Sequence, residues 1–294
     1  LNTEHARTLL SGVVDGIQFY GNCVGVPTVG GEIYFHQSYR DNCLVNVMCV
    51  GIAREGQLAT SKARGVGNPV YVVGNRTGRD GIGGCSILAS HEFSEDDQKR
   101  PTVQIGDPFT EKCLIEATLE MLASGAVVAI KDMGAAGITC STAEMAAAGG
   151  VGMDVDLAKV PMREKGMEPW EIMMSESQER MLVVVEHGRE AEVEAIFEKW
   201  GLIAENIGAV IAEPVMRVRF SGEIVAEVPC ASLAAAPVYH LPAEEPAWLA
   251  PLQQTDLSAL PDVADGNAAL LALLASPNIA SKRWVFEQYD HMVQ

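Results

Sequence analysis

The chain has 294 residues, of which 48% are hydrophobic and 20% charged, so it can form about two domains with sizeable cores, and wholesale disorder is excluded. Acidic residues outnumber basic ones by 39 to 21, and the formal net charge of -18 disfavours binding to nucleic acid. The sequence contains no apolar run near the roughly 20 residues that span a membrane.

Seven cysteines without C-x-x-C spacing predict small buried thiols in a reducing compartment, and we therefore expect a cytoplasmic protein. The six histidines also lack the spacing of metal ligands. The chain begins at Leu1 and has no feature of a signal peptide, which suggests a piece of a longer protein.

The first part of the chain predicts one helix and two strands. Apolar side chains at helical spacing predict a helix over Thr8–Tyr20. The almost continuous apolar run Cys43–Ala53 predicts a strand buried on both faces. Val70–Val73 predicts a second strand that leads into the glycine-rich segment Gly78–Gly84, and the polar residues 91–101 predict an exposed loop.

Helices and strands alternate through the middle of the chain. Asp107 can cap a helix that begins at Pro108 and ends near Ser124. The capping-box pattern Ser141-x-x-Glu144 predicts the start of another helix. Further predictions are strands over 126–131, 151–157 and 181–186, a short helix from Pro169, a helix through Val193–Trp200, and a hairpin joining 215–220 to 223–228.

This mixture indicates an α/β protein of the α+β type rather than a purely parallel sheet. From about residue 236 the composition shifts to alanine, proline and acidic residues. We expect a linker there, with one helix near 267–275.

Two segments next to predicted strands are candidates for phosphate and metal chemistry. The closely spaced glycines of Gly78–Gly84 would let backbone N–H groups converge on a phosphate, although the segment matches neither a Walker loop nor G-x-G-x-x-G. A tight structural turn is the alternative. Asp132 follows a strand and precedes small residues, which suits Mg²⁺, or it caps a turn.

A third candidate is the polar run Ser175–Arg180, which lies between a predicted helix and a predicted strand. Such a run is either a ligand-facing loop or a solvated connection. Gln104, just before the helix capped by Asp107, is a weaker candidate for contact with a ligand. These residues predict, at most, a phosphorylated ligand bound with Mg²⁺.

Six segments, in order and at the right intervals, resemble the synthetase subunit of phosphoribosylformylglycinamidine synthase in its small bacterial and archaeal form. They are residues 21–32, 77–82, 104–109, 131–137, 168–171 and 175–181. The resemblance covers about residues 3–235 and resumes at Phe286–His291, which resembles the opening of that family's second half.

The resemblance implies a tandem duplication of N-type and C-type domains like those of aminoimidazole ribonucleotide synthetase. Residues 1–65 would be the C-terminal part of the first N-type domain, and residues 66–235 the first C-type domain. Residues 236–294 would be the linker and the start of the second N-type domain. The chain would then be truncated at both ends.

The resemblance also implies an activity. This family uses ATP and glutamine-derived ammonia to convert formylglycinamide ribonucleotide into formylglycinamidine ribonucleotide, in purine biosynthesis. ATP phosphorylates the amide oxygen to an iminophosphate, ammonia displaces phosphate, and Mg²⁺ neutralises charge on the transferring phosphoryl group. The implied partners are a glutaminase subunit and a small structural subunit.

By the same resemblance, Asp132 matches a Mg²⁺ ligand, Gln104 a substrate contact, and Glu176, Ser177 and Gln178 the substrate-contacting stretch. The family's catalytic histidine lies in a Ser-His-Asn-His motif that this sequence lacks. We therefore assign no catalytic residue and expect the chain alone to be inactive.

Other functions compete with this one. Another member of the same ATP-dependent superfamily would act in aminoimidazole ribonucleotide, selenophosphate or thiamine-phosphate chemistry. A degenerate, non-catalytic interaction subunit is a second alternative. A dinucleotide-dependent oxidoreductase is disfavoured because the G-x-G-x-x-G loop and its downstream acid are missing.

Overall fold

A computed structural model describes residues 3–40, 43–85, 103–235 and 237–293. It divides the chain into two compact units, one of residues 1–22, 26–48 and 237–294 and one of residues 23–25 and 49–236. The loop predicted over 91–101 lies outside the described residues. Within the described ranges, no helix is both long and apolar enough to cross a bilayer.

The helices and strands alternate along most of the chain. In chain order they are α1 (Glu4–Val24), β1 (Pro69–Gly74), α2 (Pro108–Ser124), β2 (Val127–Asp132), α3 (Gly137–Gly149), β3 (Gly152–Asp156), α4 (Pro169–Met174), β4 (Arg180–Val185), α5 (Glu190–Lys199), β5 (Ile203–Ile211), β6 (Val215–Phe220), β7 (Glu223–Pro229), α6 (Cys230–Ala234), α7 (Leu249–Gln253), α8 (Gly266–Ala275) and α9 (Arg283–Phe286).

The second unit is built on one seven-stranded sheet in the order β2-β4-β1-β5-β3-β6-β7. The pair β3–β6 is parallel, and the other neighbouring pairs are antiparallel. The sheet is therefore mixed, which confirms the predicted α+β type. The hairpin β6–β7 is confirmed as well.

Both faces of the sheet centre are buried. Val70 and Val72 of β1 pack in one hydrophobic cluster with residues of α3 and α4, whereas Tyr71 and Val73 pack in a second cluster with residues of α2 and α5. A strand covered on both faces has no polar side, and this accounts for the continuous apolar run at 70–73.

The start of α2 follows the prediction closely. Asp107 Oδ1 accepts a hydrogen bond from the Thr110 backbone N–H at 3.1 Å, and Pro108 occupies the first turn. Gly125 ends the helix in the left-handed conformation, with φ of 76°. The backbone N–H of Asp107 donates to Glu179 Oε1 at 2.9 Å, which places the start of α2 beside the sheet edge described below.

The strand predicted over Cys43–Ala53 is wrong. Residues 43–54 form no strand, and the apolar side chains of Leu44, Val47 and Ile52 are exposed. A strand needs a neighbour to satisfy its backbone N–H and C=O groups, and an apolar run does not provide one. Among the described residues, none pairs with this segment in the sheet.

Two further predictions need correction. The helix α3 begins at Gly137, and Ser141 lies inside it, where its hydroxyl donates to the Gly137 carbonyl at 2.6 Å instead of capping a start. Of the seven cysteines only Cys230 is buried, since four are exposed and two are intermediate. Their apolar sequence neighbours did not determine their burial.

Candidate functional site

The candidate residues of the second unit lie at one edge of its sheet, where β1 and β2 end and β4 begins. The strand register pairs Gly74 with Arg180 and Asp132 with Met181. Because β4 runs antiparallel to both neighbours, the segments that follow β1 and β2 meet the segment that precedes β4. Three stretches that are distant in sequence converge there.

Glu176 lies at the centre of this convergence. Its side chain is 1% exposed, and its Oε1 accepts the Ala136 backbone N–H at 3.0 Å. Its Oε2 accepts Gln104 Nε2 at 2.6 Å. The buried carboxylate thus joins three predicted site segments, and its two oxygens bind the chain itself.

Two glutamine side chains border this carboxylate. Gln104 is exposed, and Gln178 is half-buried, with its Nε2 donating to the Glu176 carbonyl at 2.7 Å. A carboxylate and a carbonyl can only accept, so they fix which end of each amide faces Glu176. Oriented amides of this kind are suited to recognising a polar ligand.

Ser177 points away from the surface, in contrast to the two glutamines. It is 2% exposed, its hydroxyl donates to Asp80 Oδ1, and the Gly78 backbone N–H donates to it at 2.9 Å. The hydroxyl of Ser175 donates to the Gly78 carbonyl at 2.7 Å. The glycine-rich segment therefore lies against the inner side of the 175–178 loop.

The side chain of Arg180 binds the backbone carbonyls of the same loop. The guanidinium is almost completely buried and donates to the carbonyls of Ser175 and Ser177, each at 2.7 Å, and to Thr77 Oγ1 at 2.8 Å. Burial lowers the pKa of Arg180 to about 10, and the nearby Asp80 opposes that shift. The side chain is therefore still charged at neutral pH.

Asp132 ends β2, as predicted, and its side chain is 71% exposed. Its Oδ1 lies 3.7 Å from Lys131 Nζ, which also pairs with Glu144 at 2.9 Å. The hydrogen bond to Glu144 is the main cause that raises the pKa of Lys131. The turn 133–136 connects Asp132 to the residues around Glu176.

One exposed carboxylate suits Mg²⁺ in a particular mode, in which one or two carboxylates act with substrate phosphates and waters. Among the residues that the structure describes, no group of three or more His, Cys, Asp or Glu side chains could enclose a metal. Asp132 therefore fits Mg²⁺ bound by one carboxylate together with substrate phosphates and waters. The described residues do not form a closed cage of protein ligands.

Gly137, in the run of small residues after Asp132, is required by a close approach of two backbones. Ala136 and Gly137 both have positive φ, of 57° and 50°. A side chain at Gly137 would collide with the Ser175 carbonyl oxygen. This position therefore requires glycine, and its absence of a Cβ lets the turn pack directly on the 175–178 loop.

The structure brings Gln104, Glu176, Ser177 and Gln178 together and places Asp132 on the same sheet edge. Sequence reasoning missed three further members of the site: Asp80 and Arg180, which are buried, and Arg163, whose side chain is 42% exposed. Asp80 and Arg180 stood inside segments already recognised as polar or glycine-rich, so their burial was the missing information. Arg163 carried no signal in the sequence.

Two family models match the chain. The AIR synthase related protein N-terminal domain matches residues 1–53, and the C-terminal domain of the same family matches residues 65–221. A curated relative, phosphoribosylformylglycinamidine synthase subunit PurL of Thermosynechococcus vestitus, is 55% identical over 298 residues. That match covers 100% of this chain and 39% of the relative, so the chain spans well under half of its length.

Solved structures from Thermotoga maritima are similar as well. PurL complexed with FGAR has a TM-score of 0.80 and 41% identity, over 96% of this chain and 44% of that one. PurL complexed with ATP has a TM-score of 0.74 and 38% identity, over 95% and 41%. PurLQS has a TM-score of 0.70 and 36% identity, over 96% and 42%. These similarities confirm the resemblance that the six sequence segments indicated.

Proposed function

Because this chain belongs to the AIR synthase related protein family, we propose that it forms part of an ATP-dependent carbon–nitrogen ligase acting on formylglycinamide ribonucleotide. The observation that carries the proposal is the similarity of 96% of the chain to a PurL structure holding FGAR. The oriented amides of Gln104 and Gln178 support it, because they present polar groups at that sheet edge.

The reaction converts formylglycinamide ribonucleotide, ATP and ammonia into formylglycinamidine ribonucleotide, ADP and phosphate. An amide oxygen is a poor leaving group, and phosphorylation by ATP turns it into a good one that ammonia can displace. Mg²⁺, when bound, supplies charge neutralisation on the phosphoryl group. In this chain, Asp132 would be the residue that holds the ion.

The residues of the binding stretch have different roles in substrate binding. We assign substrate contact to Gln104 and Gln178, whose amides lie at or near the surface. Glu176 and Ser177 belong to the same binding stretch, and their buried side chains set its shape. The proposal includes a cytoplasmic location. It also includes a complex with a glutaminase subunit and a small structural subunit, and the similarity to PurLQS supports this complex.

The proposed function is tested in a complete synthetase that contains this chain. ADP release should require formylglycinamide ribonucleotide, ATP, Mg²⁺ and ammonia together, and omission of any one should stop it. ADP release that depends instead on selenide or on formylglycinamidine ribonucleotide would assign the chain to another member of the superfamily. No ATP turnover with any of these substrates would favour an interaction subunit.

Replacement of Gln178 by alanine should raise KM for formylglycinamide ribonucleotide about 10-fold, with a smaller effect on KM for ATP, because one hydrogen-bonding group is lost. Alanine at Glu176 should act in the same direction and also lower stability, since it leaves the Gln104 amide and the Ala136 backbone N–H without their acceptor. Gln57 is exposed elsewhere in the unit, and its alanine variant is the control. Equal changes in both KM values would indicate a purely structural loop.

The 294-residue chain made alone is expected to self-associate and to show no synthase activity with ammonia and ATP. Its segment 43–52 exposes several large apolar side chains, and exposed apolar surface of this kind promotes association. Light scattering after size exclusion and an ADP-release assay test the two parts. Ammonia-dependent ADP release by a monomeric 294-residue protein would contradict the expectation.

A further inference from the structure

We infer that the glycine-rich segment Gly78–Gly84 positions the candidate substrate loop 175–178, with Asp80 as the main positioning residue. This inference rests on the proposed function for the identity of the substrate. It assigns a role to a motif that the sequence left open between a phosphate cradle and a tight turn.

Three backbone N–H groups of this segment already have acceptors within the protein, which argues against a phosphate cradle. The N–H groups of Gly78 and Arg79 donate to Ser177 Oγ at 2.9 Å and to Glu164 Oε1 at 2.8 Å. The N–H of Gly81 donates to the Val103 carbonyl at 3.2 Å. A cradle needs N–H groups that converge on the anion, and these three point to protein acceptors.

Asp80 connects the segment to the substrate loop twice. Its backbone carbonyl accepts the Glu176 N–H at 3.1 Å, and its Oδ1 accepts the hydroxyl of Ser177. Arg163 Nη2 donates to the same Oδ1 at 2.7 Å. Asp80 is 6% exposed and its bond to Ser177 is buried, where charge-assisted hydrogen bonds are strong, whereas the Arg163 side chain is 42% exposed.

Gly81 lies against Glu176 and Gln104, and its lack of a side chain leaves room for both. A Cβ at this position would lie 2.5 Å from Glu176 Cβ and 3.1 Å from Gln104 Cγ. The residue has a φ of 68°, which favours glycine independently of the space. Because Gly81 has no side chain, Glu176 and Gln104 can approach each other next to it.

These contacts act on the orientation of the substrate-binding amides. Glu176 fixes Gln104 through its carboxylate and Gln178 through its carbonyl, and Asp80 and Gly81 fix Glu176. A rotation of Glu176 would therefore misplace both amides at once. Sites of this kind depend on a supporting layer, because small displacements weaken binding strongly.

Two pairs of variants test the inference in a complete synthetase. Asp80→Asn keeps the shape and removes the charge, whereas Glu164→Gln removes a charge from the ion pair with Arg79 on the same segment. Gly81→Ala and Gly166→Ala carry the same backbone strain, since both glycines have a φ of 68°, but open space surrounds Gly166. Only Asp80→Asn and Gly81→Ala should raise KM for formylglycinamide ribonucleotide, by about 10-fold, with kcat and KM for ATP nearly unchanged.

A double variant separates positioning from stability. If Asp80 acts through Ser177, adding Asp80→Asn to Ser177→Ala should change KM by less than about 2-fold. A full 10-fold effect on top of Ser177→Ala overturns the inference. An Asp80→Asn variant with a lower melting temperature but the same KM as the unmodified protein also overturns the inference.

Hydrogen exchange provides a readout that does not need turnover. The Glu176 and Ser177 amides donate within the protein, to the Asp80 carbonyl and to Ser175 Oγ. Asp80→Asn should accelerate exchange in a peptide covering 175–178, and Glu164→Gln should not. Unchanged exchange overturns the positioning role. Faster exchange in a protein that does not turn over formylglycinamide ribonucleotide leaves the positioning intact and rejects only the proposed function.

Discussion

Replacement of Asp132 by asparagine is expected to reduce ATP-dependent turnover of a complete synthetase on the order of 100-fold or more, because a metal that stabilises the transferring phosphoryl group contributes several kcal/mol. The neutral amide is a much weaker ligand for Mg²⁺ than a carboxylate. The fold should be unaffected, since the side chain is 71% exposed and surface changes are usually worth less than about 0.5 kcal/mol.

The measurement is turnover across a Mg²⁺ titration, together with a thermal melt of each protein. The variant should need more Mg²⁺ for a given rate, whereas its melting temperature should stay the same. Glu213→Gln, which removes an exposed charge from the same unit, is the control. A Mg²⁺ titration identical to that of the unmodified protein would remove Asp132 from the metal site.

Replacement of Arg180 by leucine is expected to lower the free energy of unfolding by about 3–5 kcal/mol, since each stranded buried acceptor costs about 1–3 kcal/mol. Leucine would leave the carbonyls of Ser175 and Ser177 and the hydroxyl of Thr77 without their donor. The free energy of unfolding of Arg180→Lys should lie between those of the unmodified protein and Arg180→Leu, because an ammonium group cannot reproduce the planar arrangement of guanidinium donors.

Urea denaturation measures this effect through the shift of the midpoint at constant slope. Arg76 is exposed on the segment that follows β1, and Arg76→Leu is the matched control. If Arg180→Leu and Arg76→Leu have the same midpoint, the buried guanidinium does not hold the loop in the way described. Loss of soluble protein for Arg180→Leu alone is the extreme form of the expected result.

Local signals predicted most helices and most strands of the second unit, because each of these elements carries its own pattern. The cap at Asp107, the left-handed stop at Gly125 and the two-faced apolar run at 70–73 depend only on neighbouring residues. The strand β5 was missed, since Asn206 and Gly208 interrupt its apolar pattern, although it pairs with both β1 and β3.

The candidate site was predictable in part for the same reason. Gln104, Asp132 and the run at 175–178 stand next to elements with clear boundaries, so their place at the sheet edge follows once those elements are known. The function of Glu176 as a buried hub could not be predicted, because its partners are 40 and 72 residues away along the chain. The strand prediction for segment 43–53 was wrong for the opposite reason. Its apolar pattern was clear, but the sequence did not show whether a neighbouring strand was present to pair with it.

The position of β1 in the sheet has a consequence for biosynthesis. This strand pairs with β4 and β5, and both are made roughly 100 or more residues later, which at about 5–20 residues per second takes on the order of 10 s. During that interval the nascent chain carries an apolar, β-prone segment at 70–73 without either neighbour. Long-range pairing of this kind is slow and open to aggregation, so the yield of native protein should depend on translation rate and on chaperones.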